Sequence, residues 1–313
     1  RFTDSRGNPQ GSLSANRIEI GARNRSASEL TLRSGAASSG YVSVSGSQTG
    51  QSRLSIDGAE LHMPSNSLVD VGVLGGRGEL VVGPDALLKT GYVRVGENAG
   101  SNGLMHVTGQ NARAEVHGMQ IGASSTGRLE VTAGGVLASI GSIFLANFSD
   151  GSANGSVLIS GTGSHLGIVN GGMAIGDSGT GSAIVELGGT LESSGNLLVG
   201  GFGNSESLLQ VSGAGSSVAT NGTATIRASR SDAITTIADS ATLTAVAGYI
   251  HVVQGSGQKT AALRVKEGGL AEFSTWVRFN KQGGHAELDV TDGGRVEIGI
   301  VSTSALDGQV RVG

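Results

Sequence analysis

The apolar residues of this chain fall in short strings that alternate with polar residues, and the strings recur in a fixed order. The first is an apolar pair separated by one residue and often followed by glycine: RIEIG at 17–21, VRVG at 93–96, MQIG at 119–122, MAIG at 173–176 and LLVG at 197–200. The second is an LxV string running into a glycine-rich turn, as in LTLRSG (30–35), LSIDG (54–58), LEVTAGG (129–135), LQVSGAG (209–215), LRVKEGG (263–269) and LDVTDGG (288–294). A short third string then begins on one apolar residue: Leu61, Leu87, Leu137, Leu166, Leu191, Val218, Leu243, Leu270 and Val296. Period-two alternation marks each string as a strand with one side turned to a core. The intervening glycines supply the positive-φ corners that sharp turns need.

The last apolar residue of the second string falls at Leu32, Ile56, Val82, Val107, Val131, Ile159, Val185, Val211, Ile237, Val265 and Val290, so successive copies lie 24 to 28 residues apart. A period held over nearly the whole chain is the signature of a solenoid. Hairpins could use the same strands, but an identical order of three strings favours coiling, because each string then stacks on its own copy. With parallel strands ~4.8 Å apart, about eleven coils make a rod roughly 50–60 Å long. The expected fold is all-β: a right-handed, single-stranded parallel β-helix of about eleven coils of ~26 residues, with three strands per coil. Residues 1–16 read as an irregular N-terminal lead-in and 17–313 as a single β-helix, expected to be part of a longer chain. Two stretches depart from the pattern. Residues 146–156 (ANFSDGSANGS) lengthen one turn, and 221–247 replace glycine corners with Thr, Ser and Ala while keeping the spacing.

Composition narrows the picture further. Glycine supplies 55 of 313 residues and proline only 3, which excludes collagen-like and proline-rich architectures. Hydrophobic residues at 37% and aromatics at 3% suit a thin core of small side chains. A net charge of −4 without a basic run argues against nucleic acid. Cysteine is absent, so disulfides, thiolate metal sites and a cysteine nucleophile are excluded. Neither a charged-then-apolar leader nor an apolar run of 18 residues occurs, so any targeting element is expected to have been removed or to lie outside this segment.

The stretch 159–218 resembles the passenger repeats of type V secretion autotransporters, which read roughly as GxGSxW, an LxVG string, a GxGxL turn and a VxxGGxV string. GTGSHL (161–166) and GAGSSV (213–218) match the first element, with Leu166 and Val218 where the family usually places tryptophan, and GASSTGRLEVTAGGVL (122–137) matches the remainder. The resemblance covers about residues 17–296. It implies a β-helical passenger at the bacterial outer-membrane surface, exported through a C-terminal β-barrel that this segment lacks. It also implies a role as an adhesin, a protease stalk or a self-associating factor.

Catalytic signatures are missing. There is no GxSxG elbow, no GGxGxD calcium repeat, and His62, His106, His117, His165, His251 and His285 form neither HxH nor HExxH. Three features remain. Asp239, Glu267 and Asp292 each lie two residues past a second-string marker. Stacked about 5 Å apart at one corner, they would suit Ca²⁺ or general acid–base chemistry, against the plainer reading of a solvated corner. In the first string the outward residues Tyr249, His251, Trp276 and Arg278 bring aromatic rings beside cationic groups on neighbouring coils, expected to bind a sugar ring or a protein partner. Between them and the N-terminal coils the outward positions turn apolar, at Phe144, Ala174 and Leu198, and Leu158 and Ile184 do likewise on the next face. Such a patch marks either self-association or cover by the 146–156 turn.

The sequence thus points to an extracellular, structural and adhesive segment without catalysis. Its expected partners are host or bacterial cell-surface components, glycans among them, or copies of itself. No cofactor is expected beyond Ca²⁺ at the acidic corner. The alternative is a polysaccharide-active β-helix enzyme, a lyase or glycoside hydrolase, working through the stacked carboxylates.

Overall fold

In the computed structural model, which describes residues 13–21, 27–46, 50–147, 153–201, 206–253, 259–281, 284–301 and 309–312, the chain coils as a parallel β-solenoid. The second strings form one sheet of twelve parallel strands arranged in sequence order. Every marker stands opposite the next, from Leu32 against Ile56 and Ile56 against Val82 at one end to Ile237 against Val265 and Val265 against Val290 at the other. A further strand, Gln309–Val312, adds Val312 opposite Val290. That is one copy more than the eleven markers.

First and third strings share an eighteen-stranded sheet. In the middle of the chain they are separate strands, for example Val136–Ser139 and Ile143–Leu145, and a coil there has three strands. Towards both ends they fuse into one longer strand, as in Ala36–Val44, Ser217–Ala228, Thr242–Val252 and Leu270–Lys281. The fused C-terminal strands include the stretch where Thr, Ser and Ala replace glycine. There the chain turns through bulges, with register shifts at 220/223, 245/248 and 273/276, in place of a tight corner.

Two sequence expectations change. The first strand is Leu13–Ile20, with Leu13 opposite Ala37, so regular structure reaches back into the stretch read as irregular lead-in. Its cause is alternation, since Leu13 and Ala15 pack against the core between polar neighbours. In the third string the inward residues are Leu88 and Ala271, not Leu87 and Leu270. They continue the buried column Leu61–Leu88–Ala114–Leu137–Leu166 and Leu243–Ala271. A strand this short carries too little alternation to choose between adjacent apolar residues, and the register of its neighbours decides.

Close approach of the backbone governs the corner where the first string hands over to the second. The glycine ending the first string takes positive φ, for example 68° at Gly96 and 66° at Gly122. The second string then begins on a column of small residues, Ser52–Gly78–Gly103–Gly127–Gly155–Gly181–Ser207–Ala233. A Cβ added at Gly127 would lie 2.2 Å from the Val95 carbonyl oxygen and 2.2 Å from the Gly122 nitrogen. Neither backbone atom can withdraw without breaking a coil-to-coil bond, because Gly122 N–H donates to Val95 O at 2.7 Å.

One inward position breaks the apolar rule. Thr235 replaces leucine between Leu209 and Leu263, is 1% exposed, and its hydroxyl has no hydrogen-bond partner. It borders a void of about 10 Å³ walled mostly by Leu197, Leu209, Leu243, Leu263 and Phe273. So apolar a space does not hold a water that needs two or more polar partners.

Two stability measurements follow from this packing. Gly127→Ala should lower the unfolding free energy by about 1–3 kcal/mol in denaturant titrations. Gly83→Ala, whose nearest contact is a carbonyl oxygen at 3.3 Å, should cost much less. Thr235→Val, which keeps the shape and removes the unpartnered hydroxyl, should raise stability by about 1 kcal/mol.

Candidate functional site

Because coils stack in register, the outward residues of the first string form one continuous column along the rod. It runs from Glu19 through Ser43 and Asp70 to Arg94. Gln120, Phe144 and Ala174 follow, then Leu198, Thr225, Tyr249 and Arg278. The face is therefore charged at one end, apolar in the middle, and aromatic and cationic at the other.

At the charged end lies a cleft of about 670 Å³ that the sequence pattern does not announce. Its floor is a hydrogen-bonded ionic network. Arg94 grips Asp70 with two parallel bonds, Nε to Oδ1 at 2.6 Å and Nη2 to Oδ2 at 2.8 Å, while its Nη1 donates to Glu97. The Tyr41 hydroxyl donates to Asp70 Oδ2 at 2.7 Å. Arg17 lies over the Tyr41 ring, 4.7 Å from its centroid, and pairs with Glu19. The Asp70 side chain is only 4% exposed, and a carboxylate so deeply placed requires these partners. Burial pushes the Tyr41 hydroxyl above its ordinary value, and its bond to Asp70 adds to this, so it stays a neutral donor. For Arg94, burial works against the charge, but hydrogen bonds and attraction from Asp70 and Glu97 outweigh it and hold the guanidinium protonated. A signal was available in the sequence: VDV at 69–71 and VRV at 93–95 are first strings whose central, outward residues have opposite charge.

At the other end the four aromatic and cationic residues are arranged differently from the spacing expectation. Tyr249 stands opposite Arg278 and His251 opposite Asn280, while Trp276 stands opposite Ile300. Tyr249 and Trp276 are therefore not paired. The reason is a bulge: Ser274, Thr275 and Trp276 lie opposite Val246 and Ala247, so one coil carries an extra residue and the column shifts. Two pairs result along the strands, Tyr249 against His251 with ring centroids 5.1 Å apart, and Arg278 over Trp276 at 5.2 Å. Phe144 and Leu198 flank Ala174 on this same face and are half-buried. Leu158 and Ile184 are direct neighbours on the second-string face. The turn expected to cover the patch lies partly outside the described residues, at 148–152.

The acidic corner has a backbone cause. Asp239, Glu267 and Asp292 have φ of 54°, 52° and 51°, and Ala133 and Leu187 occupy the same place in other coils at 52° and 53°. The position is the first of two positive-φ residues in a tight turn, closed for instance by Gly269 N–H to Lys266 O at 2.9 Å. Asp tolerates that conformation better than most residues. All three carboxylates are exposed, and Lys266 sits among them, bonded to Glu267 at 3.0 Å. That bond, reinforced by attraction from Glu267, Asp239 and Asp292, raises the Lys266 ammonium above its ordinary value. Among the described residues no group of three His, Asp or Glu side chains is placed to hold a metal ion.

No family model matches this chain, and no curated protein matches its sequence. In structure it is similar to a hyper-glycosylated TibA fragment whose glycosylation TibC catalyses, at 16% identity, covering 96% of this chain and 97% of that one with a TM-score of 0.34.

His251 supplies a pH test of the aromatic end. Its Nε2 is buried without a hydrogen-bond partner. Burial, then repulsion from Arg227 on the preceding coil, lowers its pKa below 6.5. The unfolded chain takes up this proton more readily than the folded one, so the contribution of His251 is level above 6.5 and is lost as the pH falls through the folded value. Melting midpoints taken from about pH 8 to about pH 5 should drop less in His251→Gln than in the unaltered chain, the remaining histidines being common to both.

Proposed function

We propose that the chain is a rigid, non-catalytic binding segment of a secreted bacterial surface protein, of the autotransporter passenger kind that its glycine-rich repeats resemble. The observation carrying this reading is the unbroken register of the second strings. Twelve second strings pair in order, so outward side chains are held in fixed columns along the rod. A surface organised in this way presents many weak contacts at fixed spacing, which suits adhesion to an extended partner or to another copy. Two further features support it. The carboxylates that a polysaccharide-cleaving alternative would use stand on exposed turns, where solvent screens them. The first-string face carries an arginine–aromatic stack at each end, Arg17 with Tyr41 and Arg278 with Trp276, the residue types that dominate contact energies at interfaces.

On this reading the partners are cell-surface components, glycans among them, engaged through Tyr249, His251, Trp276 and Arg278. Phe144 and Leu198, with Leu158 and Ile184 on the neighbouring face, serve lateral contact between copies. The test applies the purified, fluorescently labelled chain to epithelial and bacterial cells. Trp276→Ala and Arg278→Ala should each reduce bound signal at least about tenfold with the melting midpoint unchanged. Phe144→Lys with Leu198→Lys should abolish any concentration-dependent sedimentation. Release of oligosaccharide products from a polysaccharide panel, or cell binding indifferent to both aromatic-end variants, would overturn the reading.

A further inference from the structure

We propose that the cleft bounded by Arg17, Tyr41, Asp70, Leu74, Arg94 and Glu97 is a binding site for a neutral oligosaccharide. It lies at the opposite end of the rod from the aromatic pairs and does not depend on the adhesive role proposed for them.

Size comes first. A volume of about 670 Å³ falls within the roughly 300–1,000 Å³ of sites that enclose small ligands. Next is unused hydrogen-bonding capacity on groups already fixed in place. The Arg94 guanidinium has five N–H donors, of which three are directed at Asp70 and Glu97. One N–H on each terminal nitrogen is left. Glu97 accepts from Arg94 through Oε1, leaving Oε2. Asn98 uses its Oδ1 to accept the Leu74 N–H at 3.0 Å and keeps its amide donors. Donors and acceptors thus alternate around one cleft, the pattern that sugar hydroxyls, each both donor and acceptor, can satisfy.

Charge selects the class of sugar. The cleft sets two arginines against three carboxylates, Glu19, Asp70 and Glu97. Both cations are already paired. An anionic ligand would meet net negative charge, because both cations are already neutralised by carboxylates. A cation would compete with Arg94 for Asp70, whose side chain is almost wholly buried. A neutral polyol meets neither obstacle.

The rim supplies the apolar wall. Leu74 is 87% exposed and holds φ at 55°, a conformation that is strained for leucine. It is clamped by the next coil, its own N–H to Asn98 and the Gly75 N–H to Ser101 Oγ at 3.0 Å. A large apolar side chain exposed on a held backbone beside a polar cleft matches the amphipathic build of a sugar ring, whose C–H face is apolar and whose edge is hydroxylated. Because these groups are held before binding, little ordering cost falls on association.

The experiment uses the whole chain and isothermal titration calorimetry. The probes are cellotriose, maltotriose and N,N′-diacetylchitobiose as neutral sugars, with digalacturonate and a chondroitin disaccharide as acidic ones. At least one neutral sugar should bind, and more tightly than either acidic one. Leu74→Arg, an exposed change with no packing to lose, and Tyr41→Phe, which removes one hydroxyl, should each weaken it at least about tenfold. Val169→Ser, at an exposed apolar residue outside both sites, should leave it unchanged. No binding by any neutral sugar, tighter binding of an acidic one, or affinity that survives both cleft variants would overturn the proposal. So would affinity lost through Val169→Ser.

Discussion

The backbone of each coil in this solenoid finds its hydrogen-bond partners in the coils above and below it, and the remaining features of the molecule answer to that requirement. Parallel ladders bind a coil only if it repeats the path of its neighbour, so every corner must fall at the same place. The small-residue column beside the first corner is the direct consequence. At Gly78, Gly103, Gly127 and Gly155 a side chain would meet a backbone carbonyl of the preceding coil at 2.3 Å or less. Where glycine gives way at the ends of the column, Ser52, Ser207 and Ala233 take its place, still small. Slippage is opposed as well, since a shift of one residue would turn the inward Leu and Val columns out to solvent.

Stacking also dictates the chemistry of the surface. A residue in one coil lies about 5 Å from its counterpart in the next, close enough that like charges repel. The outward columns largely pair unlike groups: Asp70 with Arg94, Lys89 with Glu115 and Arg53 with Glu79. Neutral ladders do the same work, as when Thr132 of one coil bonds both His106 and Thr108 of the coil before it. The acidic corner at 239, 267 and 292 departs from this, as does Glu272 opposite Glu297. The corner is tolerated where the turn exposes the carboxylates and Lys266 stands between them.

Function on such a scaffold is a matter of which outward residues share a column. One sheet face carries a polar cleft, an apolar middle and an aromatic end in sequence. The floor residues of the cleft come from four successive coils, each paired with the next. The aromatic end is more irregular, because the fused C-terminal strands turn through bulges, and a bulge redirects the side chains around it.

Much of this was legible in the amino-acid sequence. Eleven markers such as Ile56, Val107 and Val211 were each assigned to the residue that pairs with the next copy, because a period near 26 and an alternation of two leave little freedom in long strings. The acidic corner was locatable too, since it sits at a constant distance from those markers. What needed the tertiary structure were positions set by contact between coils. Leu88 rather than Leu87 faces inward because Leu61 and Ala114 do. Trp276 lies away from Tyr249 because a bulge adds a residue that spacing alone does not reveal. The cleft forms only on stacking, because Tyr41, Asp70 and Arg94 are far apart in sequence and meet across coils. Periodicity determines which residues turn inward along a strand. Only the stacked backbone decides which residues of different coils meet, because an added residue is absorbed in a bulge or turn whose place spacing alone does not fix.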